Sequence, residues 1–375
     1  MTLQSMLLKR EEKVIFQLRA LFEQYGYKQF KMSKFEAYDF YAENRSFLNS
    51  ENILTFSGLD GKLLALKPDV TLSIVKNTKA SYDEPERVYY NENVYRTRKG
   101  TKEYREIMQV GLEYIGDVDA YATVEVLRLA QKSLQMISER FIMDLSHMGF
   151  LAGYLEELAL SGTQREKLLA CVGNKNGHGI RDICKEAKVS TEREEQLIQI
   201  AELYGPLEEA LCQAKKLCVN AKMEQALTEL EVLWKYLKLD GSDKGFYLDF
   251  SVVNGLDYYN GIIFQGFIDG VPSSILSGGR YDKLLHKLGK SADAIGFAVY
   301  LDLLERAEPA EKGYDTDILL LYEDTTDTAA LLQSVQMLTD NGQSVTVQKK
   351  NTGAIRYKQL WAMKERGLEI LGEDD

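Results

Sequence analysis

The sequence predicts an α+β protein: a sheet with flanking helices, a helical insertion within it, and a small α/β unit at the C-terminal end. Three observations carry this. Strand patterns recur along the chain, at residues 53–66, 87–96, 107–115, 245–253 and 262–268. Between residues 151 and 240 the composition turns to Glu, Lys, Ala and Leu with few β signals, which reads as helices. Beyond residue 314 a strand–helix–strand pattern appears.

Taken in order, residues 6–25 place apolar side chains at helical spacing with charge between them, and Gly26 closes the helix. An extended segment follows at 27–35. Residues 53–66 form a hairpin around Gly58-Leu59-Asp60-Gly61. Residues 68–77 start a helix with Asp69 and Thr71 in its first turn. Strands at 87–96 and 107–115 are joined by a charged loop, 97–106, and 119–140 is a long helix. The strand at 262–268 ends in Asp269-Gly270, a turn signal. A helix is expected at 280–287 and a linker at 307–313. Residues 317–322, 328–340 and 343–348 read as strand, helix and strand. The domains are therefore 1–306, containing the 151–240 insertion, and 314–375.

Composition narrows the function. Hydrophobic residues make up 45% and charged residues 27% of the 375, ordinary for a globular protein. No apolar run approaches a membrane span, and the N-terminus has no secretory pattern, so a cytoplasmic protein without membrane contact is expected. Cys171, Cys184, Cys212 and Cys218 lack CxxC spacing, and His147, His178 and His286 lack ligand spacing. Reduced thiols and no metal site are expected. The net charge of −11 makes the chain a poor nucleic-acid binder, because such binding needs cations on phosphates.

Some residues are candidates for chemistry. On a strand at 107–117, Gln109, Gly111 and Glu113 share one face, while Met108, Val110, Leu112 and Tyr114 share the other. The second set is a core face. The first offers an amide and a carboxylate with room between them, suited to an ammonium or an imidazole N–H; a solvated sheet face is the plainer alternative. Of Tyr258 and Tyr259, adjacent on a strand, one can line a pocket while the other packs in the core; a hairpin with aromatic packing is the plainer alternative and the one that spacing alone favours. Gly278-Gly279 is either a close approach to a ligand or a turn. Asp69 and Thr71 either bind an amino group or cap a helix.

Motifs join these separate signals. Gly255-Leu256-Asp257-Tyr258-Tyr259-Asn260-Gly261 and Gly278-Gly279-Arg280-Tyr281-Asp282 resemble the two histidine-specific segments of the histidyl-tRNA synthetase family. LKPDVT at 66–71 is similar to that family's LRPEGT, and YGYKQFKMSKFE at 25–36 to its first class II motif. Residues 94–116 resemble the second motif with its following strand, and GFAVYLDLL at 296–304 resembles the third. The resemblance covers residues 6–305 and implies the antiparallel sheet of class II synthetases. It implies a histidine pocket made by Asp69, Thr71, Arg96, Gln109, Glu113, Tyr258 and Tyr259. Asp69 would hold the α-amino group; Glu113 and the tyrosines would read the imidazole.

The departures from the family pattern fall on the catalytic side. Asn254 and Leu303 stand where the family has arginines against the reacting acyl group and ATP. Asp302 replaces the third motif's Glu, and Ser33 the first motif's Pro. The second motif's loop reads Arg96-Thr97-Arg98 in place of Arg-x-Glu, and is a residue shorter. Loss of one preorganised charge donor costs ~10²–10³ in rate. The pattern is therefore similar to the family's non-catalytic relatives, the regulatory subunits of ATP phosphoribosyltransferase. That resemblance implies no catalytic residues and no cofactor. It implies a homodimer within a hetero-oligomer with a short-form catalytic subunit, L-histidine as effector, and no tRNA. An active histidyl-tRNA synthetase and a synthetase-like histidine sensor are the alternatives.

Overall fold

The computed structural model describes residues 10–48, 53–97, 103–239, 241–253, 258–306, 314–364 and 367–373. Arg98, Asn254 and the linker at 307–313 lie outside the described residues. The chain divides into two compact units, one of them Lys9–Ala307 and the other containing Glu308–Asp375.

In the larger unit, α1 (Arg10–Gln24) leads to β1 (Lys28–Gln29), with Gly26 taking a left-handed φ of 81° at the helix end. Next come β2 (Phe35–Ala37), α2 (Tyr38–Glu43), β3 (Thr55–Ser57), β4 (Leu63–Leu66) and α3 (Thr71–Asn77). β2, β4 and β3 form a separate small sheet, and β3–β4 is the hairpin expected around Gly58–Gly61. β5 (Glu86–Thr97) and β6 (Tyr104–Gly116) pair antiparallel along their whole length. α4 (Ala120–Ile137) follows, and the Asp119 carboxylate caps it by accepting the Ala122 N–H at 2.8 Å.

β7 (Phe141–His147) is a strand that the sequence pattern did not suggest. The insertion then runs as α5 (Met148–Glu156), α6 (Gly162–Gly173), α7 (Gly177–Glu186), α8 (Thr191–Glu202), β8 (Tyr204–Pro206), α9 (Leu207–Lys216) and α10 (Ala221–Leu239). It is helical apart from β8, which joins the edge of the main sheet. Its starts are marked by polar caps: Ser161 and Gln164 form a reciprocal capping box, and Ser190 caps α8.

The chain returns through β9 (Phe246–Asp249), β10 (Ile262–Ile268), β11 (Leu276–Arg280), α11 (Asp282–Lys287) and β12 (Asp293–Tyr300), then a 3₁₀ turn, Leu301–Arg306. Two expectations change here. Gly278-Gly279 is inside a strand, so it is no turn, and the helix starts at Asp282 because Arg280 is still paired in β11. The main sheet has the order β1-β5-β6-β12-β11-β10-β7-β9-β8. Its central strands are antiparallel; β1 on β5 and β7 on β9 are parallel. One face buries Val110, Leu112, Phe264 and Phe297 against Leu18 and Phe22 of α1 and Leu127 and Leu134 of α4. Insertion residues such as Leu168, Ile180 and Leu230 extend this core.

The smaller unit is a four-stranded sheet, β14 (Val345–Gln348), β13 (Thr316–Leu321), β15 (Tyr357–Lys364) and β16 (Gly367–Glu373) in that order. α12 (Thr328–Asp340) connects the parallel β13 and β14 and packs Leu338 on Ile318 and Leu320. Among the described residues of the chain, no helix is long and apolar enough to cross a membrane.

Candidate functional site

The other face of the main sheet carries a pocket. Its floor comes from the alternation of β6: with Val110 and Leu112 committed to the core, Gln109 and Glu113 must point the opposite way. β12 and β11 continue the floor with small residues, Gly296, Ala298 and Ser277, and Gly279 lies next to them in β11. These glycines are there because side chains lie across them. Gly296 is opposite Glu113 in register, and a Cβ there would fall 1.7 Å from Glu113 Oε2. A Cβ on Gly279 would fall 2.7 Å from the Tyr259 ring. The room at Gly111 is taken by the Tyr90 phenol, 2.5 Å from where a Cβ would stand, so that glycine makes space for a tyrosine and not for a ligand.

Asp69, Thr71, Arg96, Gln109, Glu113, Tyr258 and Tyr259 all line this one pocket, which holds about 400 Å³ of space between protein atoms, part of it open to solvent. Asp69 is engaged at both of its carboxylate oxygens. Oδ1 accepts the Leu72 N–H at 2.9 Å, while Oδ2 lies 3.5 Å from the Arg96 guanidinium. Arg96 also donates from Nε to the Pro68 carbonyl at 2.8 Å, which ties β5 to the segment before α3. Tyr258 and Tyr259 are not on a strand, so alternation does not separate them. Both line the pocket, with ring centroids 4.7 Å apart and planes nearly perpendicular.

Glu113 is at the bottom, with 2% of its surface exposed. Thr71 Oγ1 donates to its Oε1 at 2.9 Å, and the Tyr281 hydroxyl donates to its Oε2 at 2.8 Å. Burial pushes its carboxyl up to about 8; the two hydroxyl donors oppose the shift and the nearby Asp69 adds to it. Burial also raises Asp69, against the pull of Arg96 and the Leu72 and Thr71 backbone N–H groups. Tyr281, Tyr90, Ser277 and Tyr300 complete the lining. Tyr281 lies within the Gly278–Asp282 segment, yet no residue-level signal assigned it to the pocket.

Leu303 is elsewhere. It lies in the 3₁₀ turn after β12 and packs against the main core. Among the described residues no group of three His, Cys, Asp or Glu side chains is arranged to hold a metal ion. The pocket thus offers two buried carboxylates, one guanidinium and several phenols, a set suited to a small zwitterion with ring N–H donors.

Comparisons with known proteins identify the family and the fold. Residues 3–304 match the histidyl-tRNA synthetase family. A relative from Halothermothrix orenii named ATP phosphoribosyltransferase regulatory subunit is 31% identical over 83% of this chain and 76% of its own length. Another of that name from Acetivibrio thermocellus is 29% identical over 79% and 72%. A solved structure from Bacillus halodurans C, described as an ATP phosphoribosyltransferase regulatory subunit/histidyl-tRNA synthetase, superposes with a TM-score of 0.74. It has 25% identity, and the match covers 94% of this chain and 93% of that one. The chain belongs to the histidyl-tRNA synthetase family and, within it, to the group named ATP phosphoribosyltransferase regulatory subunits.

Proposed function

We propose that this chain is the regulatory subunit of an ATP phosphoribosyltransferase, the first step of histidine biosynthesis, and that it performs no synthetase chemistry of its own. The observation that carries the reading is the kinship itself: relatives of this name match at 26–31% identity over most of their own length. The pocket supports the effector. L-histidine would place its α-ammonium at Asp69, beside Thr71 and Arg96. Its imidazole would lie between Glu113 and the Tyr258–Tyr259 pair, with Gln109 on the same wall. Positive charge at the reacting group is usually the largest catalytic term in such a site. Asn254 and the core-packed Leu303 offer none at those two positions.

On this reading the chain acts as a homodimer within a cytoplasmic hetero-oligomer, activating a short-form catalytic subunit by contact. Feedback then requires that histidine bind the active and inactive assemblies with different affinity. The test is phosphoribosyltransferase activity of a short-form catalytic subunit with and without this protein, across a histidine titration. Activation that histidine reverses is the expected result. No activation and no complex would refute the reading, and histidine-dependent ATP–pyrophosphate exchange would then favour a synthetase.

A further inference from the structure

We infer that histidine is held in this pocket as its imidazolium, with Glu113 handing its own proton to the ring on binding, so that the complex forms without net proton exchange near neutral pH. This rests on the histidine reading above and specifies the charge state that the site selects. The geometry around Glu113 is built for an ionised carboxylate. Each oxygen already accepts a hydroxyl, from Thr71 and from Tyr281. A neutral acid keeps both of these bonds only with its own O–H turned into the pocket, toward the space a ligand's ring nitrogen would occupy.

What the carboxylate lacks is a cation. Arg96 is engaged by the Pro68 carbonyl and Asp69. The other ionisable groups facing Glu113 are Asp69 itself and the phenols of Tyr90, Tyr258, Tyr259, Tyr281 and Tyr300. Burial pushes the Tyr90, Tyr258, Tyr259 and Tyr281 hydroxyls above their ordinary 10, so they stay neutral. A buried carboxylate without a counter-ion keeps its proton, and Glu113 does so up to about pH 8. Free histidine has a ring that is neutral above about 6.5. Between those limits one partner brings the proton as an acid and the other brings an empty ring nitrogen. Moving the proton from Glu113 to the ring creates an ion pair whose carboxylate is already solvated by two hydroxyls. The proton count is the same before and after.

The consequence is a bell-shaped affinity. Below about pH 6.5 the ring arrives protonated and Glu113 must release its proton, so affinity drops up to tenfold per unit of falling pH. Above about pH 8 a proton must be taken up, and affinity drops up to tenfold per unit of rising pH. An effector site of this kind reads histidine with little interference from pH across the neutral range.

The experiment is titration calorimetry of the wild-type protein with histidine in buffers of differing ionisation heat, combined with NMR of ¹⁵N-labelled histidine in the complex. The expected result is no net proton at about pH 7.2, net uptake near pH 9 that exceeds what the ligand's α-amine alone accounts for, and ring nitrogens that are both protonated in the complex. Histidine that binds with neutral-ring nitrogen shifts, or that releases a proton at neutral pH, would overturn the inference while leaving histidine as effector. No binding at all would overturn the effector reading itself. In Glu113→Gln the part of the descending limb set by Glu113 should be lost, leaving the shallower fall set by the ligand's own α-ammonium.

Discussion

Tyr281→Phe isolates one atom of the pocket. The side chain is 2% exposed and its ring packs 5.5 Å from that of Tyr258, so phenylalanine keeps the volume and the stacking. What is lost is the 2.8 Å hydrogen bond to Glu113 Oε2. Such a bond is worth about 1.5–3 kcal/mol to an ionised acceptor and about 0.5–1.5 kcal/mol to a neutral one. In the free protein at neutral pH Glu113 is largely protonated, since its carboxyl is held near 8. In the complex proposed above it is ionised. The variant therefore loses about 1–1.5 kcal/mol more in the complex than in the free protein, which weakens histidine about five- to twelvefold. Calorimetry near pH 7 measures this, with thermal melting as the check on folding. Tyr114→Phe is the control: it lies on the same strand but the opposite face, under Arg87, and should leave affinity unchanged. An unchanged affinity in Tyr281→Phe, in a protein that melts normally, would refute the role given to this hydroxyl.

Three further outcomes follow from the same contacts. Glu113 has its native carboxyl near 8 against an ordinary 4.5, so the folded state holds its proton more tightly; stability is fullest below pH 4.5 and declines as pH rises toward 8. The ceiling of that loss is about 5 kcal/mol, and Glu113→Gln should escape it, gaining in melting temperature over wild type at pH 9 relative to pH 5. Asp144 has the same sign: burial and its neighbour Asp249 raise it to about 7, against the pull of Lys175. Asp144→Asn should be stabilising by about 1–3 kcal/mol at pH 8 and lose that gain near pH 4 in denaturant melts. Leu303→Ala should keep histidine affinity within about twofold by calorimetry, because the pocket lining does not include this side chain; only a small packing loss is expected.

The parts of the fold that the sequence reveals are those whose two faces differ. β6 alternates between core and pocket, so the sides of Gln109 and Glu113 can be read directly, although the strand starts at Tyr104, inside the segment expected as a loop. α12 shows its helical period and its Asp327 cap. β7 does not reveal itself, although Met143 and Leu145 alternate with Asp144 and Ser146, because the alternation is short and the strand begins only a few residues after α4. β11 is hidden for another reason. Its glycines weaken any strand signal, and they are explained only by the Tyr259 ring and the strand neighbours that occupy their Cβ positions. The same limit applies to the site. Tyr281 reaches Glu113 from 168 residues away in sequence, and Gly296 is required by what lies opposite it. Neither fact has a local signature. The Tyr258–Tyr259 pair shares the pocket because neither residue is in a strand, so alternation does not separate them.

The placement of the polar groups also bears on how binding and catalysis separate in this scaffold. Glu113 and Gln109 stand on a strand paired on both sides, and Ser277 and Gly296 on the neighbouring strands; their positions follow from register. Thr71 opens a helix whose start is fixed by Asp69, which is itself held by Arg96 from β5. Among the described residues, the contacts of Glu113, Thr71, Asp69 and Arg96 are thus made by the sheet or by segments bonded directly to it. Leu303 belongs to a 3₁₀ turn beyond the end of β12, and no hydrogen bond of the pocket passes through it. A side chain there can change from a cation to an aliphatic group without moving Glu113, because the register of β6 against β12 does not depend on it. The same logic limits the reverse change. An arginine at position 303 would have to displace the core packing that Leu303 makes, and with Asn254 in place of the second expected arginine, one donor alone would leave a deficit of ~10²–10³ in rate on the proposed reading.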